Sequence, residues 1–458
     1  MQETKLDEII KAVNGRLLSG NSQVNISSIC IDSREIFEGS LFVPIVGDRF
    51  DGHDFVVQAL LAGSLASFVN RGKNLSSVMF ETKKALIEVE DTVIALQSLA
   101  RYCFSKFKIP VVGITGSVGK STVKEMCASI LESTGACVLK THGNFNGQIG
   151  LPLSVARITQ RHDVAVLEMG VSIPGEMEKL TKVVAPDFAI VTNIGMSHLE
   201  NMGNVENIFK EKIKVAEREG CRLFFNGDSE FAKDLHKNFK NVTYFGISSN
   251  FSYHAEQIVS TYQGTEFLLV AKEFREIIEI PCFGVHSVCD ALAAIAFAVE
   301  FGIGLEYIKK GLANFQTLPM RQQIKRVSGF TIIDDSYNAS PDSIMASFSV
   351  LKNLKGERKI AVISDMLELG PQSEKIHFDM GKRITQELDL LITFGNFSKL
   401  FCEGAKIVRS DLEVLHFETA SEAAEELAFR VKEGDVILVK GSRAMHSEEV
   451  VEILQGRN

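Results

Sequence analysis

The chemistry of this chain is densest at residues 109–129, IPVVGITGSVGKSTVKEMCAS. A β-rich apolar run (Ile109, Val111, Val112, Ile114) meets three glycines, Gly113, Gly116 and Gly119, followed by Lys120, Ser121 and Thr122. Apolar residues at helical spacing come next: Val123, Met126, Cys127, Ile130 and Leu131. Strand, glycine loop and helix in that order make a cradle for phosphate. Glycines let backbone N–H groups approach the oxyanions, and the helix N-terminus favours negative charge. Lys120 can reach β- and γ-phosphate oxygens, and the Ser121 hydroxyl suits Mg2+. The common G-x4-G-K-[ST] spacing would put the first glycine at Ile114. Here it is Gly113, so the loop reads GxxGxxGKS. A glycine-rich turn with an incidental lysine is the plainer alternative, and the flanking strand and helix speak against it.

Other reactive side chains fall at the ends of apolar runs. Glu168 ends DVAVLE, Asn193 ends DFAIVTN, and His198 follows in NIGMSHLE. In an open α/β sheet ligands bind along the edge where parallel strands end, so these groups belong beside the phosphate loop. A carboxylate and an imidazole there are plausible Mg2+ ligands. A lone loop histidine is otherwise an ordinary hydrogen-bonded surface group. THGNFNGQIGLPL carries Asn144 and Asn146, whose carboxamides can serve a phosphate or a peptide, although asparagines in left-handed turns would read the same way. Lys212, with Lys210 and Lys214, reads by itself as a solvated basic helix face. In the last third, DDSYNASPDS holds Asp334 and Asp335 at a strand end, with Ser340, Pro341 and Asp342 suited to start a helix. SDMLELG, His377 and KGSR (440–443) are further polar clusters after strands, and Arg321 stands at a hinge before them.

These groups need a scaffold, and 458 residues are enough for three domains. Hydrophobic content of 45% and charged content of 23% are those of a globular chain, and a net charge of −9 argues against non-specific nucleic-acid binding. No run of 18 apolar residues predicts a membrane span, and MQETKLDEIIKAVNGR reads as a short amphipathic helix without a secretion core. The eight scattered cysteines form no CxxC pair and are expected as buried free thiols in a reducing cytosol. Residues 1–105 predict a small α/β domain with a turn-rich segment, IDSREIFEGSLFVPIVGDRFDGHDF, between its strands. From 106 to 318 strands and helices alternate, which predicts a mostly parallel sheet covered by helices. From 319 to 458 the rhythm restarts as a second doubly wound unit: strands at 329–336, 359–366, 390–395 and 435–442, each followed by a helix. That unit lacks a dinucleotide fingerprint after its first strand. The expected fold class is thus α/β in three domains: a small N-terminal one, a central mononucleotide-binding one and a Rossmann-like C-terminal one.

Taken together, IDSR…LFVPIVGDRFDGHDF, GITGSVGKST, HGNFNGQIGLPL, EMG, TNIGMSHLE, DDSYNASPDS, SDMLELG and KGSR resemble the Mur ligases, in family order and over nearly the whole chain. The resemblance implies a cytoplasmic, ATP-dependent amide ligase of peptidoglycan synthesis using Mg2+, and DDSYNASP implies the branch that adds D-alanyl-D-alanine to UDP-N-acetylmuramoyl-tripeptide. It implies that Gly113, Thr115, Gly116, Ser117, Val118, Gly119, Lys120, Ser121 and Thr122 surround ATP, with Asn193, Arg321 and Asp335. Ser121 and Glu168 would bind one Mg2+ and His198 a second, beside a carbamylated Lys212; Lys120, Glu168, His198 and Lys212 form the implied catalytic set. Ser33 and Arg34 would contact the UDP-sugar, while Asn144, Asn146, Tyr337 and Asn338 would face substrate. GVHSVCD departs from the family, with Ser287 and Asp290 where asparagines contacting adenine are common. A monomer is expected. A related ligase with another amine, folate glutamylation included, and a non-ligating NTPase are the alternatives.

Overall fold

The computed structural model describes residues 1–456 apart from 48, 74–83, 234, 262, 273, 385 and 386. Three main sheets follow one another along the chain. The first has five strands in the order Arg16–Ser19, Ala85–Val89, Ala66–Asn70, Ser40–Phe42 and Ser28–Cys30, backed by the helix Thr92–Ser105.

The central sheet has nine strands. Its heart is Val111–Thr115, paired in parallel with Val164–Glu168 on one side and Phe188–Val191 on the other. Glu168 lies opposite Ile114 and Val191 opposite Thr115, so both neighbouring strands end where the phosphate loop begins. This register brings the predicted strand-end residues to one edge. Strand residues alternate between two covered faces: Val112 and Ile114 pack under the helices Lys120–Ser133 and Val285–Glu300, and Val111 packs on the opposite side. The far edge turns antiparallel through Tyr253–Ser260, Thr265–Ala271 and Arg275–Ile280.

The third sheet has six strands in the order Gln323–Val327, Phe330–Asp335, Asp435–Lys440, Arg358–Ser364, Leu390–Phe394 and Glu413–Phe417. Only its first pair is antiparallel. Two features differ from the sequence expectation. Gln323–Val327 forms an edge hairpin with Phe330–Asp335, and a strand (Glu413–Phe417) with a helix (Ala420–Arg430) intervenes before the last strand. Both unforeseen strands are edges with no fully buried residue, so neither carries the apolar run that marks an interior strand. Pro341–Asn353 starts as expected: Ser340 is its N-cap, in a reciprocal box with Ser343. Six cysteines are buried free thiols, but Cys137 is exposed and Cys289 is half-buried. Among the described residues, no helix is long and apolar enough to cross a membrane.

Candidate active site

The loop after Val111–Thr115 is held by its neighbours. Gly116 has φ 150°, and a Cβ there would lie 1.9 Å from Thr192 Oγ1. Gly119 caps the following helix at φ 86° in the left-handed region, where glycine is favoured. Asn193, expected at ATP, pins the loop: its Oδ1 accepts from Val118 N at 2.7 Å and its carbonyl from Ser117 N at 3.0 Å. Thr115 is buried at the strand end. Gly113 is a correction. It lies inside the strand, where a Cβ would come 2.5 Å from Pro186 Cγ, so its missing side chain admits a proline ring and serves no phosphate.

Lys120 folds over the loop, its Nζ donating to Gly116 O at 2.9 Å and Ser117 O at 3.3 Å. Burial lowers its pKa, and Glu168 opposes that shift. Ser121 Oγ donates to Glu168 Oε2 at 2.8 Å, and Asn146 Nδ2 to Glu168 Oε1 at 2.6 Å. Glu168 is 1% exposed, and both of these side-chain partners are neutral. A buried carboxylate beside a loop hydroxyl, with no direct ion pair among the described residues, is a hard oxygen pair that fits Mg2+. His198 lines the same cleft, but among the described residues no three His, Cys, Asp or Glu side chains converge as a ready-made metal cluster. Lys212 is no surface group. It is 1% exposed behind the loop, where its Nζ donates to Gly116 O at 3.0 Å. Burial, reinforced by Lys120, pulls its pKa well below the usual lysine range.

The cleft, about 710 Å³, is closed on its far side by the C-terminal sheet. Asp335 and Lys440 end adjacent parallel strands and pair at 2.6 Å, and Lys440 also donates to Asn338 O at 2.9 Å. Asp335 also accepts from Ser347 Oγ at 2.5 Å, so it is already engaged within its own unit. The Arg321 guanidinium stacks 4.2 Å from the Tyr337 ring centroid. Asn144, Thr122, Tyr337 and Asn338 also line the cleft. Ser33 and Arg34 do not. They flank a separate cavity of about 210 Å³ lined by Asp32 and Glu35, and Arg34 hydrogen-bonds Asp32, holding that carboxyl at about 2. His377 is structural, accepting from Met366 N at 2.9 Å.

Lys440, Glu368 and His286 are among the cleft residues that the sequence reading did not single out. Lys440 could have been found as a charged residue closing the apolar strand DVILVK. His286 Nε2 meets Gln322 Oε1 at 2.8 Å, a partnership between segments with no local signal. Asp290 carries no described hydrogen bond or ion pair. Its Oδ1 would lie 2.3 Å from a Cβ on Gly119, and burial pushes its carboxyl well above the aspartate range.

A glycine loop on a central parallel strand, faced across a cleft by a second doubly wound unit, defines a multidomain nucleotide-using enzyme of the phosphate-loop class. Family models match in the same three parts: the Mur ligase family, catalytic domain at 25–103, the Mur ligase middle domain at 114–298, and the Mur ligase, glutamate ligase domain at 320–443. The chain is 36% identical over 460 residues to a UDP-N-acetylmuramoyl-tripeptide–D-alanyl-D-alanine ligase of Bacillus subtilis, covering 99% of both chains. It is 32% identical to the Escherichia coli protein of that name, again over 99% of both. Among solved structures, crystal structure I of MurF from Acinetobacter baumannii superposes with TM-score 0.91 at 30% identity over 100% of both chains. MurF ligase from Thermotoga maritima in complex with ADP superposes with TM-score 0.82 at 30% identity, over 94% of this chain and 97% of that one. The chain belongs to the Mur ligase family.

Proposed function

We propose that this chain joins D-alanyl-D-alanine to UDP-N-acetylmuramoyl-tripeptide with ATP, as a cytoplasmic monomer. One observation carries the reading: the phosphate loop and the Asp335–Lys440 end of the C-terminal sheet open into one cleft, so a phosphoryl donor and an amine held by separate units can meet. The names of its relatives support the substrates. In this reading residues 1–105 hold the UDP end, 106–318 hold ATP, and 319–458 hold the dipeptide.

The tripeptide carboxylate attacks the γ-phosphorus, the bond to the β–γ bridging oxygen breaks, and ADP leaves. The dipeptide amine then attacks the acyl carbon, loses a proton and expels phosphate. Lys120 and the loop amides offset charge on the phosphoryl oxygens during transfer. Docking of the C-terminal unit excludes water from the acyl phosphate. A divalent cation, when bound, would screen the phosphates; Ser121 and Glu168 would hold one and His198 another. Lys212, whose pKa burial lowers, suits carbamylation: its nitrogen, once unprotonated, bonds the carbon of CO2, loses a proton and becomes an anion.

The test is phosphate release and product mass with ATP, UDP-tripeptide and a panel of amines. We expect release to depend on D-alanyl-D-alanine and to yield the UDP-pentapeptide. A greater yield with a single amino acid or glutamate would move the chain to another acceptor. Amine-independent turnover would identify a non-ligating NTPase.

A further inference from the structure

The C-terminal unit grips one segment of the central unit, residues 195–200, at three points. Asp342 Oδ2 accepts from Met196 N at 3.2 Å, Glu368 O accepts from Glu200 N at 3.1 Å, and Glu368 Oε2 pairs with His198 Nδ1. The approach is close: a Cβ on Gly195 would lie 1.9 Å from Asp342 Oδ2, and one on Gly370 would lie 3.1 Å from Glu200 Cα. His198 (φ 56°) and Glu368 (φ 63°) both occupy the left-handed region that non-glycine residues seldom adopt. Two uncommon backbone conformations thus meet at one side-chain pair. Ser442 Oγ accepts from Leu367 N at 2.9 Å and steadies the loop that carries Glu368.

A histidine that binds a cation uses one ring nitrogen, and a carboxylate on the other fixes the tautomer and the ring orientation. Glu368 occupies Nδ1, which leaves Nε2 of this cleft-lining residue for a ligand. We propose that Glu368 is a positioning residue for His198. The C-terminal unit supplies the carboxylate that readies a cation ligand of the central unit, so that cation site is complete only when the two units are docked. The proposal rests on the reading of His198 as a cation ligand given above.

The test uses Mn2+ as probe, titrated into the full chain with a non-hydrolysable ATP analogue and followed by electron paramagnetic resonance. Two sites are expected, with His198→Ala losing one of them. Glu368→Ala weakens that same site about 10–100-fold and leaves the other unchanged. Glu368→Gln, whose amide oxygen can accept from Nδ1–H, recovers most of the affinity, and the double variant binds no more weakly than His198→Ala. Glu368 is half exposed, so thermal melting should be unaltered in both of its variants. A Glu368→Ala titration that superimposes on the wild type, while His198→Ala has lost a site, overturns the proposal and leaves the His198 reading intact. Equal weakening by Gln and Ala also overturns it, since orientation would not be the cause. An unaltered His198→Ala titration removes the His198 reading and the proposal with it.

Discussion

Lys120 and Asp290 flank the same glycine turn, and each should respond to substitution differently. In the proposed reaction Lys120 brings a positive charge to the phosphates from a half-buried position, so Lys120→Met is expected to lower the rate of phosphate release by about 10²–10³-fold, or ~3–4 kcal/mol, without unfolding the chain. Product formation under saturating substrate is the measure. Asp290 bears on pH. An unfolded aspartate releases its proton near pH 4, about 3.9. The folded chain holds that proton to a pH well above this, because burial opposes ionisation. Folding therefore retains a proton the unfolded chain has lost, and the contribution of this group to stability falls as pH rises from about 4 through the raised pKa. Asp290→Asn removes the titration. Its melting temperature should match the wild type near pH 4 and exceed it increasingly towards pH 8. A constant difference between the two melting curves would contradict this assignment.

At the scale of the element, two glycines three residues apart do different work. Gly113 is a strand residue against Pro186, whereas Gly116 turns the loop against Thr192. Gly113→Ala should cost about 1–3 kcal/mol through overpacking, seen in chemical denaturation, while the folded fraction keeps its KM for ATP. Gly116→Ala should do the reverse. It should abolish nucleotide binding in calorimetry with only a small change in melting, because the loop cannot hold its shape with a Cβ 1.9 Å from Thr192 Oγ1. Strand, loop and helix were all legible here from the order of residue types, since backbone stereochemistry and periodicity are local. Which glycine serves which element was not, because Pro186 reaches Gly113 from another part of the chain. The edge strand Glu413–Phe417 was hidden for a related reason: an edge buries little, and so carries little pattern.

In the whole molecule, the C-terminal sheet brings a buried ion pair to the cleft that the phosphate loop also lines. Asp335 and Lys440 are 105 residues apart and meet at 2.6 Å in the interior. Removing one partner strands the other, so Lys440→Met should destabilise the C-terminal unit by about 3–5 kcal/mol, read as an earlier transition in urea. The double variant Asp335→Asn with Lys440→Met should recover part of that loss, as no buried charge remains. A Lys440→Met transition that coincides with the wild type would mean that water or a rearranged neighbour already compensates the pair.

By itself, the sequence determined the phosphate loop, the alternating elements and the placing of Glu168 at a strand end, because glycine tolerance, hydrophobic period and capping each act within a few residues. Tertiary structure alone decided which of these groups share a cleft. Strand order put Glu168 beside Ser121, assigned Asn193 to hold the loop and sank Lys212 behind it. The docking of the third unit brought Glu368 to His198 and closed the site with Lys440. Such contacts join segments remote in the chain, and they are set by the packing of whole sheets, for which no local run of residues carries a signal.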